Sequence, residues 1–167
     1  MFENGEFVVY GQVGICQVKD VTTMNMEGVP KDRLYYVLQP VSKSEGTIYT
    51  PVENSKRPIR RVMTREEAED LISEIPQIET LEIDNEKQRE EKYKECLKNS
   101  SGREMVRIIK TIYDRMSKRI AKGKKATAVD ERYMKMAEDT LYSELSMLLG
   151  VPKDKMVSYI TQKITIH

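Results

Sequence analysis

Few side chains in this 167-residue sequence have the types and spacing that catalysis needs. The single histidine is His167, so the sequence offers no histidine acid–base pair, catalytic triad or histidine metal site. Cys16 lies in a β-like run and Cys96 in a helix-like run, and their spacing suits neither a metal knuckle nor a redox pair. We therefore interpret both cysteines as buried small hydrophobic side chains and predict no metal site.

The carboxylates and glycines form no catalytic pattern either. Acidic residues occur in runs such as Glu66-Glu67 and Glu90-Glu91, which are typical of solvated helix faces rather than of paired catalytic acids. The glycines have neither the GxxxxGK(S/T) nor the GxGxxG spacing of a phosphate-binding loop. The sequence therefore predicts a protein that is not an enzyme and that uses no cofactor and no small-molecule substrate.

The charged residues are segregated along the chain. The net charge is +1, but residues 1–62 carry +1, residues 63–98 carry −6 and residues 99–167 carry +6. Residues 103–135 alone hold 11 basic and 4 acidic side chains. Such a segment can neutralise several phosphates of a nucleic acid without reading its sequence. The alternative is a solvated helix face with a lysine-rich loop, and the spacing alone leaves both interpretations open. The basic residues placed on this candidate surface are Arg103, Arg107, Lys110, Lys122, Lys124 and Lys125, with Lys118 and Arg119 in part.

The first 62 residues show the pattern of short strands. Runs rich in β-branched and aromatic residues at 7–10, 15–21, 34–38 and 47–50 are separated by glycine, proline and aspartate, and a last short strand is expected at 60–62. Several short, curved strands in so few residues are typical of a small barrel. We therefore predict an SH3/Tudor-like β-barrel as the N-terminal domain, residues 1–62.

From residue 63 onward the apolar period becomes helical. Apolar residues recur every three or four positions at 105–120 and at 134–148, and further helices are expected at 84–97 and 153–163. The sequence thus predicts an α+β protein whose residues 63–167 form an all-α domain of about four to five helices. Three helix starts have the spacing of a capping box or its aspartate variant: Thr64 with Glu67, Ser101 with Glu104, and Thr127 with Asp130. The apolar stripe at 105–120 consists of Met105, Ile109, Ile112, Met116 and Ile120.

The sequence predicts no membrane span and no export signal. No apolar stretch approaches the roughly 18 residues that a membrane helix needs. Residues 1–5 lack the basic and apolar regions of a signal peptide. We therefore expect a cytoplasmic protein without a membrane partner.

Four segments that follow one another along the chain resemble a known family. In sequence letters they are GEFVVY with a later G (residues 5–14), PVEN with a later IR (51–60), KYK, LK and SG (92–102), and DERYM with later A, L and ELS (130–146). Together they resemble the CarD/CdnL/TRCF family of bacterial transcription regulators. The resemblance extends over residues 2–146, which is nearly the whole chain.

The resemblance implies a partner for the N-terminal domain. In this family a Tudor-like domain binds the β subunit of RNA polymerase by aligning a barrel strand with a strand of the polymerase. Main-chain hydrogen bonds supply such pairing, and nearby side chains set its specificity. The polymerase-binding residues expected on this basis are Met24, Ile48, Tyr49, Thr50 and Pro51.

The resemblance also implies a nucleic-acid partner for the helical domain. That domain is expected to lie against promoter DNA at the upstream edge of the bubble, without sequence-specific contacts, and to influence the stability of the open complex. Arg132 matches a basic position on the DNA side of the family, and Lys124 and Lys125 come from the basic loop described above. The full set of expected DNA-binding residues is Arg89, Lys92, Lys124, Lys125 and Arg132.

The sequence departs from the family at residues that would touch these partners. Many members carry a tryptophan four residues before the tyrosine that matches Tyr93, where it wedges against opened base pairs; this sequence has Arg89 there and no tryptophan. Glu91 occupies a position that is often arginine, and Met24 and Tyr49 occupy positions that are often basic. An alternative hypothesis is therefore an adaptor whose barrel binds polymerase while its helical domain recruits another protein instead of DNA.

Overall fold

The computed structural model describes residues 1–41, 46–53, 55 and 57–166. Asn54 and His167, which entered the sequence analysis, lie outside the described residues. The chain divides into two compact units, Met1–Val62 and Met63–His167. The first unit is a β-sheet and the second is helical, which confirms the predicted α+β class.

The described residues of the N-terminal unit form an antiparallel sheet of five strands in the order β4-β3-β2-β1-β5. β2 is long enough to pair with β1 through its first residues and with β3 through most of its length. The register between β2 and β3 shifts between Val18 and Asp20, so Lys19 lies in a bulge that bends the strand. The strands are β1 (Phe7–Tyr10), β2 (Gly14–Thr23), β3 (Leu34–Pro40), β4 (Ile48–Pro51) and β5 (Ile59–Arg61).

The sheet curls around a small hydrophobic core. Val8, Val18 and Leu38, from three neighbouring strands, are fully buried in it. The Tyr10 hydroxyl of β1 donates a 3.2 Å hydrogen bond to the Thr50 hydroxyl of β4. These two strands are not neighbours in the sheet, so the bond can form only because the sheet curves toward the SH3/Tudor-like shape.

The described residues of the second unit form five helices, in agreement with the predicted four to five. Turns of 3-10 helix at Glu86–Gln88 and Lys153–Lys155 precede α2 and α5, so both helices begin a few residues later than predicted. The helices are α1 (Arg65–Glu74), α2 (Arg89–Asn99), α3 (Gly102–Ala121), α4 (Ala128–Leu149) and α5 (Met156–Ile166). None of the helices in the described ranges combines the length and the apolar character that crossing a bilayer requires.

One hydrophobic core joins these helices. Met105, Ile108 and Ile112 of α3 are buried in it together with Leu141 and Leu145 of α4. The predicted apolar stripe of α3 is therefore correct over most of its length but wrong at its end. Ile120 is 62% exposed. The last turn of α3 extends past the core, since its neighbours 117, 118 and 121 are exposed as well.

Each predicted helix cap exists, but only the first is a complete capping box. Thr64 accepts a bond from the Glu67 N–H, and the Glu67 carboxylate accepts one from the Thr64 N–H. Ser101 and Thr127 also cap their helices through the N–H groups three residues later. The acidic side chains at those two later positions bind elsewhere in the fold, as described below.

Candidate functional site

β4 is an edge strand with main-chain groups directed away from the sheet. Within the described residues it pairs with β3 alone. The Val52 N–H donates a 3.0 Å hydrogen bond to the Leu34 carbonyl, which makes these two residues a hydrogen-bonded pair of the ladder. Because such pairs alternate with non-bonded ones, the main-chain groups of Tyr49 and Pro51 point outward. Proline is tolerated at such a position because its missing N–H would face away from the ladder.

The side chains of β4 divide the expected polymerase-binding residues into two groups. Ile48 packs against the core of the sheet, and the buried Thr50 hydroxyl accepts its bond from Tyr10. Tyr49, in contrast, is 52% exposed. Ile48 and Thr50 therefore hold the strand in place, whereas Tyr49 and Pro51 are the residues that a partner strand would meet. Met24 is half-buried directly after the end of β2.

Lys110 of α3, which was placed on the candidate polyanion surface, forms hydrogen bonds within the helical unit. Its ammonium group donates to the Ile75 carbonyl at 2.7 Å and to the Ile78 carbonyl at 2.6 Å. These carbonyls belong to the 3-10 turn that follows α1 and to the residue after it. Lys110 therefore satisfies a helix end that would otherwise lack donors.

Arg103 and Arg107 are engaged in a similar way. Arg103 pairs with Glu74 at 3.2 Å. Arg107 donates to the Glu79 carbonyl at 3.2 Å and pairs with Glu104 at 3.3 Å. The donors of Arg103, Arg107 and Lys110 thus connect residues 74–79 to α3, which favours a structural role for these three residues over the polyanion surface that the spacing left open.

The loop between α3 and α4 is the exposed part of the basic region. Lys122, Lys124 and Lys125 are all exposed. Gly123 has a φ of +76°, and the Lys124 N–H donates to the Arg119 carbonyl at 2.9 Å, which is the 6→1 bond of a Schellman motif. Arg119 Nε in turn donates to the Lys125 carbonyl at 2.9 Å. These hydrogen bonds thus fix the main chain of the loop, while the three lysine side chains remain accessible.

Arg89, which was expected to contact DNA, belongs to a closed network of five side chains. Its guanidinium binds Glu86 at 2.8 Å and the Tyr93 hydroxyl at 3.0 Å. That hydroxyl donates to Asp130 Oδ1 at 2.8 Å. Arg115 closes the ring, with Nη1 3.1 Å from Glu86 and Nε 3.4 Å from Asp130 Oδ2. Because Arg89 is only 13% exposed, its charge is directed into the protein in this conformation.

Burial and the contacts of the network shift the pKa values of Glu86 and Tyr93. The hydrogen bond from Arg89 lowers the pKa of Glu86, so this carboxylate is held ionised. Burial raises the pKa of Tyr93, so its hydroxyl keeps the proton that it donates to the fully buried Asp130. The sequence analysis missed this cluster because Tyr93 and Asp130 are separated by 37 residues. Both lie in segments that carry the family resemblance, which was the available signal.

Arg132 has a carboxylate partner although it remains accessible. Its Nη2 atom lies 2.6 Å from Glu90 Oε1, and its side chain is 57% exposed. The Tyr133 hydroxyl donates to the same Glu90 oxygen at 3.1 Å. The guanidinium also lies over the Tyr133 ring, 5.1 Å from its centroid. Arg132 is thus oriented by two neighbours.

Lys92, the remaining expected DNA-binding residue, lies among more acidic than basic groups. It is exposed on the wall of an open cavity of about 760 Å³ in the helical unit. Its charged neighbours on this wall are Glu79, Glu82, Glu95, Glu104 and Arg107. This setting favours a cationic group over a phosphate.

Both cysteines are buried, as predicted. Burial raises the pKa of Cys16 to about 11. Burial and the hydrogen bond to Glu104, 2.8 Å from Cys96 Sγ to the carboxylate, raise the pKa of Cys96 to about 12. Because a thiolate is the reactive form, neither side chain has the properties of a nucleophile.

The comparison with known families concerns the N-terminal unit. Residues 2–63 match the model of the CarD-like/TRCF RID domain, and this range includes all five strands. No curated protein gives a significant match to the chain. RID domains are non-enzymatic domains that bind RNA polymerase. Over residues 2–63 this match confirms the family resemblance seen in the sequence: this part of the chain is similar to the CarD-like/TRCF RID domain.

Proposed function

We propose that this protein regulates transcription initiation by binding the β subunit of RNA polymerase through the outer edge of β4 and promoter DNA through its helical unit. The observation that carries the proposal is an edge strand with outward main-chain groups inside a RID domain. Contact with DNA near the melted region would alter the stability of the open complex.

The proposed polymerase contact is strand addition. A polymerase strand beside β4 would meet the Tyr49 N–H and carbonyl and the Pro51 carbonyl. Because Pro51 has no N–H, it can accept a bond from the partner strand but cannot donate one. The exposed Tyr49 ring and the half-buried Met24 are the side chains proposed to set specificity.

The proposed DNA contact uses Lys122, Lys124 and Lys125 in the loop between α3 and α4, together with Arg132 on α4. Cations on an exposed loop bind phosphates by charge and need no particular base sequence. Arg89 is left out of this set because its guanidinium is used in the network with Glu86 and Tyr93.

A second candidate function is the adaptor that recruits a protein through its helical unit. Tyr113 and Ile120, on the same face of α3 because they are seven residues apart, are 67% and 62% exposed. Exposed large apolar side chains on one helix face are typical of protein interfaces. A DNA affinity that does not depend on salt, or no DNA affinity, would favour this adaptor.

The polymerase contact is tested by the substitution Tyr49→Pro in the full chain. This change removes an outward N–H without removing a bond to β3, so we expect affinity for the purified β-subunit lobe to fall about tenfold, or about 1.4 kcal/mol. The matched variant Tyr49→Ala keeps the N–H and removes the ring, and it should weaken binding less. Calorimetric titration measures both, and thermal unfolding checks that each variant folds. A wild-type chain that does not bind the lobe at low salt would overturn the proposal.

A further inference from the structure

The Glu90 carboxylate binds the Arg132 guanidinium group in the way that a phosphate would. A carboxylate and a phosphate offer similar oxygens to the planar guanidinium group. The 2.6 Å contact between Arg132 Nη2 and Glu90 Oε1 is a short charge-assisted hydrogen bond. We infer that Glu90 competes with DNA for Arg132 and thereby weakens the contact of the helical unit with promoter DNA. This inference rests on the proposed DNA-binding function.

The competing carboxylate is held in place by the fold. Tyr133 donates a hydrogen bond to Glu90, and its ring is buried against Tyr93, with 5.4 Å between ring centroids. Tyr93 is itself fully buried and hydrogen-bonded to Asp130. Glu90 also lies in the first turn of α2, where the helix dipole stabilises a negative charge. A positioned carboxylate loses less side-chain entropy on pairing than a mobile one, so it is a more effective competitor.

The exposure of the pair makes the competition reversible. The Arg132 and Glu90 side chains are 57% and 39% exposed, so water and salt screen their attraction. A DNA phosphate can therefore displace Glu90 without uncovering a buried charge. The cost of displacing it lowers the affinity for DNA by a small factor, which we expect to be about two- to fivefold.

The test compares Glu90→Gln with Glu91→Gln in the full chain. Both variants lose one negative charge from the first turn of α2, but Glu91 is exposed and contacts Lys94 at 3.6 Å rather than Arg132. Glutamine at position 90 can still accept the Tyr133 hydrogen bond, so the fold should be preserved. Binding to fork-junction DNA of arbitrary sequence is measured by fluorescence anisotropy at several salt concentrations. We expect the affinity gain of E90Q to exceed that of E91Q by about two- to fivefold, with a steeper salt dependence.

A double variant shows whether the effect passes through Arg132. The gain from E90Q should disappear when Arg132→Gln is already present, because no guanidinium is then left to release. Equal gains in E90Q and E91Q, or a gain that survives R132Q, would overturn the inference while the proposed DNA contact stands. If the wild-type chain and E90Q both fail to bind DNA, the DNA part of the proposed function fails with it. Thermal unfolding of each variant confirms that a change in affinity does not reflect a loss of folded protein.

Discussion

At the scale of single residues, Arg89 shows how one side chain decides which contacts its position makes. The family resemblance implies a tryptophan at this position, but this chain places a cation there that faces Glu86 and Tyr93. A cation with little exposure to water needs a paired anion and hydrogen bonds, and Glu86 and the Tyr93 hydroxyl supply them to Arg89, while Glu86 and Asp130 are the anions that pair with Arg115. The start of α2 is thereby tied to α3 and α4, and any influence on melted DNA must come from groups other than an aromatic wedge.

The two thiols give a prediction at the same scale. With pKa values of about 11 for Cys16 and about 12 for Cys96, both are neutral at pH 8, and both are buried. We expect neither to react with a disulfide reagent such as DTNB in the native protein within the time in which both react in urea. The variant Cys16→Ala assigns the remaining signal to Cys96. Rapid native reaction of one thiol would contradict its burial.

The same shifts determine how the thiols affect stability. An unfolded Cys96 loses its proton above its ordinary pKa of 9.0, whereas the folded side chain keeps it until about pH 12. Its contribution to the free energy of unfolding is therefore fully present below pH 9 and is lost as the pH rises toward 12.

At the scale of elements, basic residues of α3 bind the segment around the end of α1, a structural role that helical spacing alone does not predict. A helical pattern predicts which residues share a face, and Arg103, Arg107 and Lys110 do share one, since all three contact residues 74–79. It does not predict what covers the face, which here is the segment that follows α1. Local spacing similarly predicted the Ser101 and Thr127 caps, because a cap depends on residues close in sequence.

The acidic members of those two caps show why the rest could not be predicted. Glu104 and Asp130 have the spacing to complete capping boxes, but Glu104 binds Cys96 and Arg107, and Asp130 binds Tyr93. These partners lie on other helices or on another turn, and a one-dimensional pattern contains no information on tertiary competition. The same reason explains why the sequence indicated the β4 strand but not which of its residues face outward.

Lys110 gives the prediction at this scale. Lys110→Met keeps the aliphatic stem but removes the ammonium group that binds the Ile75 and Ile78 carbonyls, so we expect the free energy of unfolding to fall by about 1.5–3 kcal/mol. Lys118→Met is the matched control on the same helix, because Lys118 forms an exposed pair with Asp114, and its loss should change stability by less than about 1 kcal/mol. Urea unfolding followed by circular dichroism measures both. Equal destabilisation in the two variants would contradict the capping role.

At the scale of the whole molecule, two units with different chemistry are joined by a short connection. β5 ends at Arg61 and α1 begins at Arg65, so residues 62–64 separate the sheet from the helices. The net charge of +1 hides this division, because the basic residues are concentrated after residue 99. A domain that docks on polymerase raises the local concentration of whatever is attached to it. The proposed DNA contact would therefore not need to be strong in isolation to act at a promoter.

This division predicts that the two binding activities can be removed separately. Changing Lys122, Lys124 and Lys125 to Gln should lower DNA affinity about tenfold or more and reduce the salt slope by about 0.9 for each phosphate that the variant no longer neutralises. Affinity for the β-subunit lobe should be unchanged. Tyr49→Pro, in contrast, should lower affinity for the lobe and leave DNA affinity unchanged.

The control triple variant changes Lys153, Lys155 and Lys163 to Gln, which removes the same charge from the 3-10 turn before α5 and from α5 itself. Because steering by net charge alone would affect both triple variants equally, only a larger effect in the loop variant supports a DNA surface at Lys122, Lys124 and Lys125. If the loop variant binds DNA as tightly as the wild type does, the result favours the adaptor, whose helical unit would bind a protein through the exposed Tyr113 and Ile120 on α3.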